Sequence, residues 1–432
     1  MPQPRFSVVI PTRERADTLR FTLQTCLRQS FDDYEVVVCD NCSPPATREV
    51  VEACGSPRVR YVRAPEPLAM SANWELAVSQ ARGEYVTVLG DDDGLMPFAL
   101  AELDQLLRET GCPALRWDKA VYTWPSVAAA GQADCLFLPL ARHRETLDGR
   151  AKIAELIRFT GDWLSLPIIY NAVIHRELIE QARAKAGRVF ASAIPDTYSG
   201  FAFAYLAGRY ESVRVPMSVS GLSGRSNGVA TMVGDGRNAV AEEFNRLNAR
   251  FGYHPHPWVP DLPIYPAMMA DSFQHARDAL FPEDTGLSLD RRLLAQSCVA
   301  WLWATDPEER RRAIGLIRAS LADRPDLQAW FDGTEPERVL PAPRPQVALD
   351  CGPAFDGDCL RLNAMEFGVT DVAGAVALCA RLLRYEPGRI PYDLPPRHAQ
   401  VAGLQQALDR ARSWLPYRLA RGARRLLRRR AS

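Results

Sequence analysis

Residues 82–97 read RGEYVTVLGDDDGLMP, and this stretch decides how the rest of the chain is read. Tyr85–Leu89 is a short valine-rich run of the kind that forms a strand buried on both faces, and it leads through Gly90 into three consecutive carboxylates, Asp91, Asp92 and Asp93. Working outward, Phe6–Ile10, Tyr34–Cys39 and Val59–Val62 are runs of the same kind. Between them, Ala16–Gln29, Ala46–Ala53 and Ala69–Ala81 carry apolar residues at helical spacing, and Pro97 stands at a helix start that Phe98–Leu107 continues. Strands alternating with helices specify an α/β fold in which helices cover a parallel sheet.

The chain has 432 residues, enough for two or three units, one of them large enough to enclose a ligand site. Lys plus Arg and Asp plus Glu both count 52. Seven arginines (418, 421, 424, 425, 428, 429 and 430) crowd the last stretch, where no acid follows Asp409, so the remainder is net acidic and no nucleic-acid partner is expected. The ten cysteines are scattered, several within apolar runs, which fits a reducing, cytoplasmic compartment. Cys39 and Cys42 form a C-x-x-C, but a second pair at metal-binding spacing is absent from the sequence. The first residues lack the pattern of a signal peptide, and no run reaches the ~18 apolar residues of a membrane span.

Beyond residue 110 the alternation of strand and helix is lost. Cys112–Trp124 has the pattern of short strands, and Ile153–Phe159, Arg176–Ala184 and Thr197–Ala207 that of helices. Ser212–Val219 follows as a strand, and Ser220–Gly236, rich in Gly, Ser and Asn, as a loop or lid. Ala239–Phe251 and Arg291–Arg324 are strongly helical, 334–358 is a Pro-rich linker, and Val401–Arg430 returns to helix.

In a doubly wound parallel sheet, ligands bind beyond the carboxyl ends of the strands. The polar clusters Pro11-Thr12-Arg13, Asp40-Asn41 and Gly90-Asp91-Asp92-Asp93 all fall on that edge. Three adjacent carboxylates repel one another, so a compensating cation is expected; Mg²⁺ or Mn²⁺, completed by water and phosphate oxygens, suits a nucleoside diphosphate. The competing reading is a solvated acidic turn ahead of the helix at Pro97. Neither G-x-x-x-x-G-K-[ST] nor G-x-G-x-x-G follows the first strand, which argues against a P-loop ATPase and a dinucleotide dehydrogenase. Asp40 either accepts from a base N–H or is a turn residue beside Asn41.

Three runs, FSVVIPTRERADTL (6–19), YEVVVCDNCSPPAT (34–47) and AMSANWELAVSQARGEYVTVLGDDDGLMP (69–97), resemble the donor half of a family 2 glycosyltransferase. The resemblance is close over about residues 5–100 and weaker to about 230. It implies an inverting enzyme with the GT-A fold, a Rossmann-like nucleotide-binding domain. It further implies that Pro11, Thr12 and Arg13 line the nucleoside pocket, that Asp40 binds the base, that Asp91 touches ribose and that Asp92 is the metal ligand, with Asp93 a second metal candidate. Asn73 is implied at the donor site as well. The chain departs from the common pattern at Gly90, where many members have the first Asp of the motif, and at Ala72, where an Arg often precedes the Asn.

Attack by an acceptor hydroxyl needs a base. The segment AIPDTYSG (193–200) puts Asp196 at a helix start, where the family places its catalytic acid; capping of Thr197–Ala207 would equally explain an Asp there. The loop SGLSGR (220–225) is read as a lid whose Arg225 touches phosphate, against the alternative of a solvated loop arginine. Trp163 and Tyr170 either stack on an acceptor sugar or pack in the core, and His254-Pro255-His256 is read as a surface turn. Trp414–Arg430 has the pattern of a basic amphipathic helix able to rest on anionic lipid, or of a solvated tail.

These readings give a GT-A domain over 1–235, with a donor half 1–110 and an acceptor half 111–235. A helical region 236–333, the linker and a helical C-terminal region 359–432 with its basic tail follow. The expected activity is metal-dependent sugar transfer from a UDP-, dTDP- or GDP-linked donor to a glycan, lipid-linked or small-molecule acceptor in bacterial polysaccharide, cell-surface glycan or glycoconjugate synthesis. The expected location is cytoplasmic or peripheral at the inner membrane face, with oligomerisation left open. A sugar-phosphate nucleotidyltransferase is disfavoured because the loop after the first strand has no glycine. Gly90 and Ala72 keep open an inactive carbohydrate-binding protein of the same fold.

Overall fold

The computed structural model describes residues 3–127, 133–224, 239–302, 306–337, 354–355 and 358–392. The alternation expected from the sequence is present: β1 (Phe6–Thr12), α1 (Ala16–Cys26), β2 (Tyr34–Asp40), α2 (Pro45–Ala53), β3 (Val59–Arg63), α3 (Met70–Ser79) and β4 (Tyr85–Val88). β4, β1, β2 and β3 lie side by side in that order, all parallel. Along β1 the side chains alternate between two cores: Val8 and Ile10 face the cluster that includes Leu19 and Leu23 of α1, whereas Val9 faces the one that includes Ala77 and Val78 of α3. Both faces are therefore covered, which is why these strands are apolar at nearly every position.

The chain then turns through β5 (Gly94–Leu95) and α4 (Ala99–Thr110) into an antiparallel half of the same sheet. This half contains β6 (Ala114–Thr123), β7 (Cys135–Pro139), β8 (Arg144–Asp148), α5 (Gly149–Leu156), β9 (Ala172–His175), α6 (Arg176–Ala186), α7 (Pro195–Ala207) and β10 (Arg209–Leu222). β9 joins the halves, pairing antiparallel with both β4 and β6. The short strands expected over Cys112–Trp124 are one ten-residue strand, because β10 runs parallel to β6 from Glu211 opposite Leu115 to Leu222 opposite Thr123. This pairing also draws Ser220, Gly221 and Leu222 into a strand, although composition marks them as loop.

α8 (Ala239–Arg250) and α9 (Tyr265–Leu280) follow, and Phe273 of α9 is buried against Phe201 of α7. The helical run expected over Arg291–Arg324 is divided into α10 (Arg291–Trp301) and α11 (Pro307–Ala319), the second starting where Asp306 accepts from the amides of Glu308 and Glu309 ahead of Pro307. With α12 (Pro325–Gly333) they enclose their own apolar cluster, including Cys298, Ile317 and Phe331.

The C-terminal segment, read as helical beyond a linker, contributes a strand. β11 (Ala354–Phe355) pairs with β12 (Cys359–Asn363), and β12 pairs antiparallel with β7, so the segment extends the N-terminal sheet. α13 (Val372–Leu383) then packs against α1 and β5, and Val372 and Val376 close on Gly94, the residue after the aspartate triplet. Most of the linker candidate and all of Val401–Arg430 lie outside the described residues. No described helix is long and apolar enough to cross a membrane.

Candidate active site

The three aspartates follow β4 and are buried. Burial raises all three carboxyls above the usual range, since each charge loses solvent next to two others. The compensating cation is one the sequence reading did not single out. Arg15, just ahead of α1, puts Nη2 2.6 Å from Asp92 Oδ2 and Nε 3.4 Å from Asp91 Oδ1. Its position beside Thr12 on the same sheet edge was the available signal. Thr12 Oγ1 donates to Asp91 Oδ2 at 2.7 Å, so β1 and α1 hold the first two acids from one side.

The far end of β10 holds the loop from the other side. Ser223 Oγ donates to Asp92 Oδ2 at 2.7 Å and accepts from Arg15 Nη2 at 2.9 Å. Trp124 Nε1 donates to the Asp92 carbonyl at 3.1 Å. The Gly221 amide donates to Asp93 Oδ1 at 2.7 Å, and a Cβ at Gly221 would stand 1.8 Å from the Asp92 carbonyl oxygen, so only glycine permits this approach. Asp93, a metal candidate from the sequence, thus has one oxygen on the Gly221 amide and the other on the Gly90 amide at 3.1 Å. The backbone N–H of Ser223 also bears on the Asp92 carboxyl, offsetting part of the rise that burial causes.

Asp40, read as the base contact, is fully buried with both oxygens engaged: the Ser43 amide donates to Oδ1, and Tyr61 Oη and Arg63 Nη1 donate to Oδ2 at 2.5 and 2.9 Å. Asn41 holds Leu68 through both its amide groups. Pro11 lies opposite Cys39 in the β1–β2 register, and Asn73 is buried with its oxygen 3.5 Å from Cys39 Sγ. Arg13 pairs with Glu243 of α8 at 2.7 Å. Arg225 lies outside the described residues.

Asp196 lies inside the first turn of α7 rather than at its N-cap, which is Ile194. Its Oδ1 accepts from the neighbouring Thr197 amide at 2.8 Å. Burial raises the carboxyl, and Lys119 of β6 pulls it back toward the ionised form. Lys119 acts electrostatically on Asp93 of the aspartate loop as well as on Asp196. The Lys119 ammonium stands 4.0 Å from the ring centre of Tyr170, whose Oη is 3.3 Å from Ser220 Oγ. Trp163, the other aromatic candidate, packs against the core beneath α7.

Among the described residues, no three His, Cys, Asp or Glu side chains form a metal cluster. His256, read as part of a surface turn, has Nε2 3.2 Å from Asp278 Oδ2.

Residues 7–124 match the model described as glycosyl transferase family 2. Over 109 residues the chain is 33% identical to the GalNAc(5)-diNAcBac-PP-undecaprenol beta-1,3-glucosyltransferase of Campylobacter jejuni, an alignment covering 24% of this chain and 35% of that protein. It is 29% identical over 100 residues to the putative colanic acid biosynthesis glycosyl transferase WcaA of Escherichia coli, covering 23% and 36%. The chain thus spans about a third of the length of these relatives. Superposition on S. aureus TarS in complex with UDP-GlcNAc gives a TM-score of 0.45 at 15% identity, covering 77% of this chain and 91% of that one. The matched segment, β1 through β6 with its buried aspartate loop, is thus similar to the family 2 glycosyltransferases.

Proposed function

We propose that this protein transfers a sugar from a nucleotide-sugar donor to an acceptor hydroxyl, with inversion at the anomeric carbon. The observation that carries the reading is the aspartate loop, buried at a parallel-strand end and held between Thr12 and Arg15 on one side and Gly221 and Ser223 on the other. Such a loop is costly for a fold unless its charge serves a ligand.

In this reading Asp92 is the principal metal ligand, and Asp91 is the ribose-side contact. A divalent ion there would offset charge on the departing diphosphate. Asp93, with both oxygens on backbone amides, shapes the loop. Asp40 is assigned to the turn after β2, leaving Pro11, Thr12 and Asn73 as the nucleoside-side wall. Asp196 takes the proton of the acceptor hydroxyl as it attacks, and burial supports this by making the carboxylate a stronger base than a solvated one. The Arg13–Glu243 pair ties α8 to the same edge. The family and the names of the relatives support a role in bacterial polysaccharide or lipid-linked glycan assembly.

Incubation with Mn²⁺ and a panel of UDP-, dTDP- and GDP-sugars, with released nucleoside diphosphate as the readout, tests the reading. Release with one donor that is abolished in a folded Asp92→Asn protein supports it. No release from any donor, with or without acceptors, overturns it.

A further inference from the structure

Lys119 has an environment that the protein alone does not explain. Its side chain is partly buried on β6, opposite Ser218 of β10, and its ammonium lies over the face of Tyr170. The other basic groups lining this side have protein partners. Arg15 is paired with Asp91 and Asp92, Arg13 with Glu243, and Arg116 bonds to Asp118 and Ser212. Lys119 makes no hydrogen bond and no ion pair with a described residue, although Asp93 and Asp196 flank it electrostatically. Asp93 does not depend on it, because the Gly90 and Gly221 amides already satisfy that carboxylate.

An ammonium removed from bulk water needs compensation, and a cation–π contact supplies only part of what three N–H donors lose. Burial accordingly pushes this lysine down to about 8. The ammonium over the Tyr170 ring interacts electrostatically both with Asp93 of the aspartate loop and with Asp196, the candidate base. The ligand chemistry that matches is an oxyanion, and in a cleft that takes a nucleotide sugar the oxyanion at the aspartate loop is the diphosphate.

We propose that Lys119 is a ligand contact, donating to the diphosphate of the donor and stabilising it as it leaves, with Tyr170 holding the ammonium in place. This rests on the glycosyltransferase reading above. A lysine here supplies positive charge that needs no metal, and it lies on the Asp196 side of the loop rather than the Thr12 side.

The test is titration calorimetry on the full chain with UDP, dTDP and GDP in the presence and absence of Mn²⁺, then with the monophosphate of whichever base binds. Lys119→Met is expected to weaken nucleoside diphosphate binding about tenfold or more, as for loss of one charge-assisted hydrogen bond, with and without Mn²⁺. The monophosphate is expected to change less than the diphosphate. Lys119→Arg, which keeps the charge, is expected to bind closer to wild type. Lys119→Gln replaces the methionine variant if that protein does not fold, as judged by its thermal midpoint. Diphosphate affinity unchanged in a folded Lys119→Met or Lys119→Gln protein overturns this proposal alone. Wild-type protein that binds no nucleoside diphosphate overturns the glycosyltransferase reading and this proposal with it.

Discussion

The parallel half of the sheet and the antiparallel half serve the candidate site by different means. In β1–β4, each polar group ends its own strand or follows it within a few residues: Thr12 ends β1 and Arg15 follows it, Asp40 ends β2, and Asp91–Asp93 follow β4. In β6–β10, the contributing groups come from distant stretches. Lys119, Trp124, Tyr170, Asp196, Gly221 and Ser223 meet because β10 runs parallel to β6 and its end reaches the aspartate loop. The parallel half supplies charge, and the antiparallel half supplies the contacts that make the charge tolerable and carries the proposed base, Asp196.

The comparison can be broken most severely at the acids. Replacing Asp196 by Asn removes the proposed base and should lower turnover by about 10²–10⁴-fold with little change in donor affinity, measured as kcat against nucleoside diphosphate binding. A comparable pH profile applies to the intact protein. Burial raises Asp196, and a base acts when deprotonated, so kcat/KM should rise with pH through a value above the ~4 of an ordinary aspartate. An acid limb at or below that value would remove Asp196 from the role. Asp92→Asn should cost on the order of 10²–10³-fold in turnover while leaving the thermal midpoint intact or higher, because it removes one of three mutually repelling buried charges.

The antiparallel contribution is sharpened at Gly221. An alanine there meets the Asp92 carbonyl at 1.8 Å and should lower stability by about 1–3 kcal/mol, with activity falling further than the stability loss accounts for; denaturant unfolding beside donor turnover separates the two. Val376→Ala on α13 tests whether the C-terminal return steadies the loop through Gly94, with about 2 kcal/mol of stability lost. The smallest effect is expected for Glu243→Gln. Its pair with Arg13 is partly exposed and worth less than about 1 kcal/mol, so unfolding should be nearly unchanged.

The residues of the parallel half were legible for a simple physical reason. Buried parallel strands need continuous apolar runs, helices need apolar spacing of their own period, and polar groups at such strand ends can only sit at one edge of the sheet. Hence β1–β4, the aspartate triplet and its shared edge with Thr12 follow from the order of residues. The partners of those acids were not legible. Asp40 is a plausible ligand contact by position, yet whether its oxygens are open depended on Tyr61 and Arg63 from β3 reaching them. The position of Arg15 marks it as lying at the same edge, yet nothing in PTRER tells which of its two arginines turns inward.

By itself, then, the sequence determined the α/β class, the carboxylate loop and the family, because these rest on local period and spacing. Only the tertiary structure decided that an arginine lies across two of the aspartates, that Gly221 must be glycine, and that the Lys119 ammonium lies over the ring of Tyr170. It also decided that β12, more than 200 residues after β7, completes the same sheet. Those outcomes depend on strand pairing over long separations, which loop closure and packing select and no local pattern encodes.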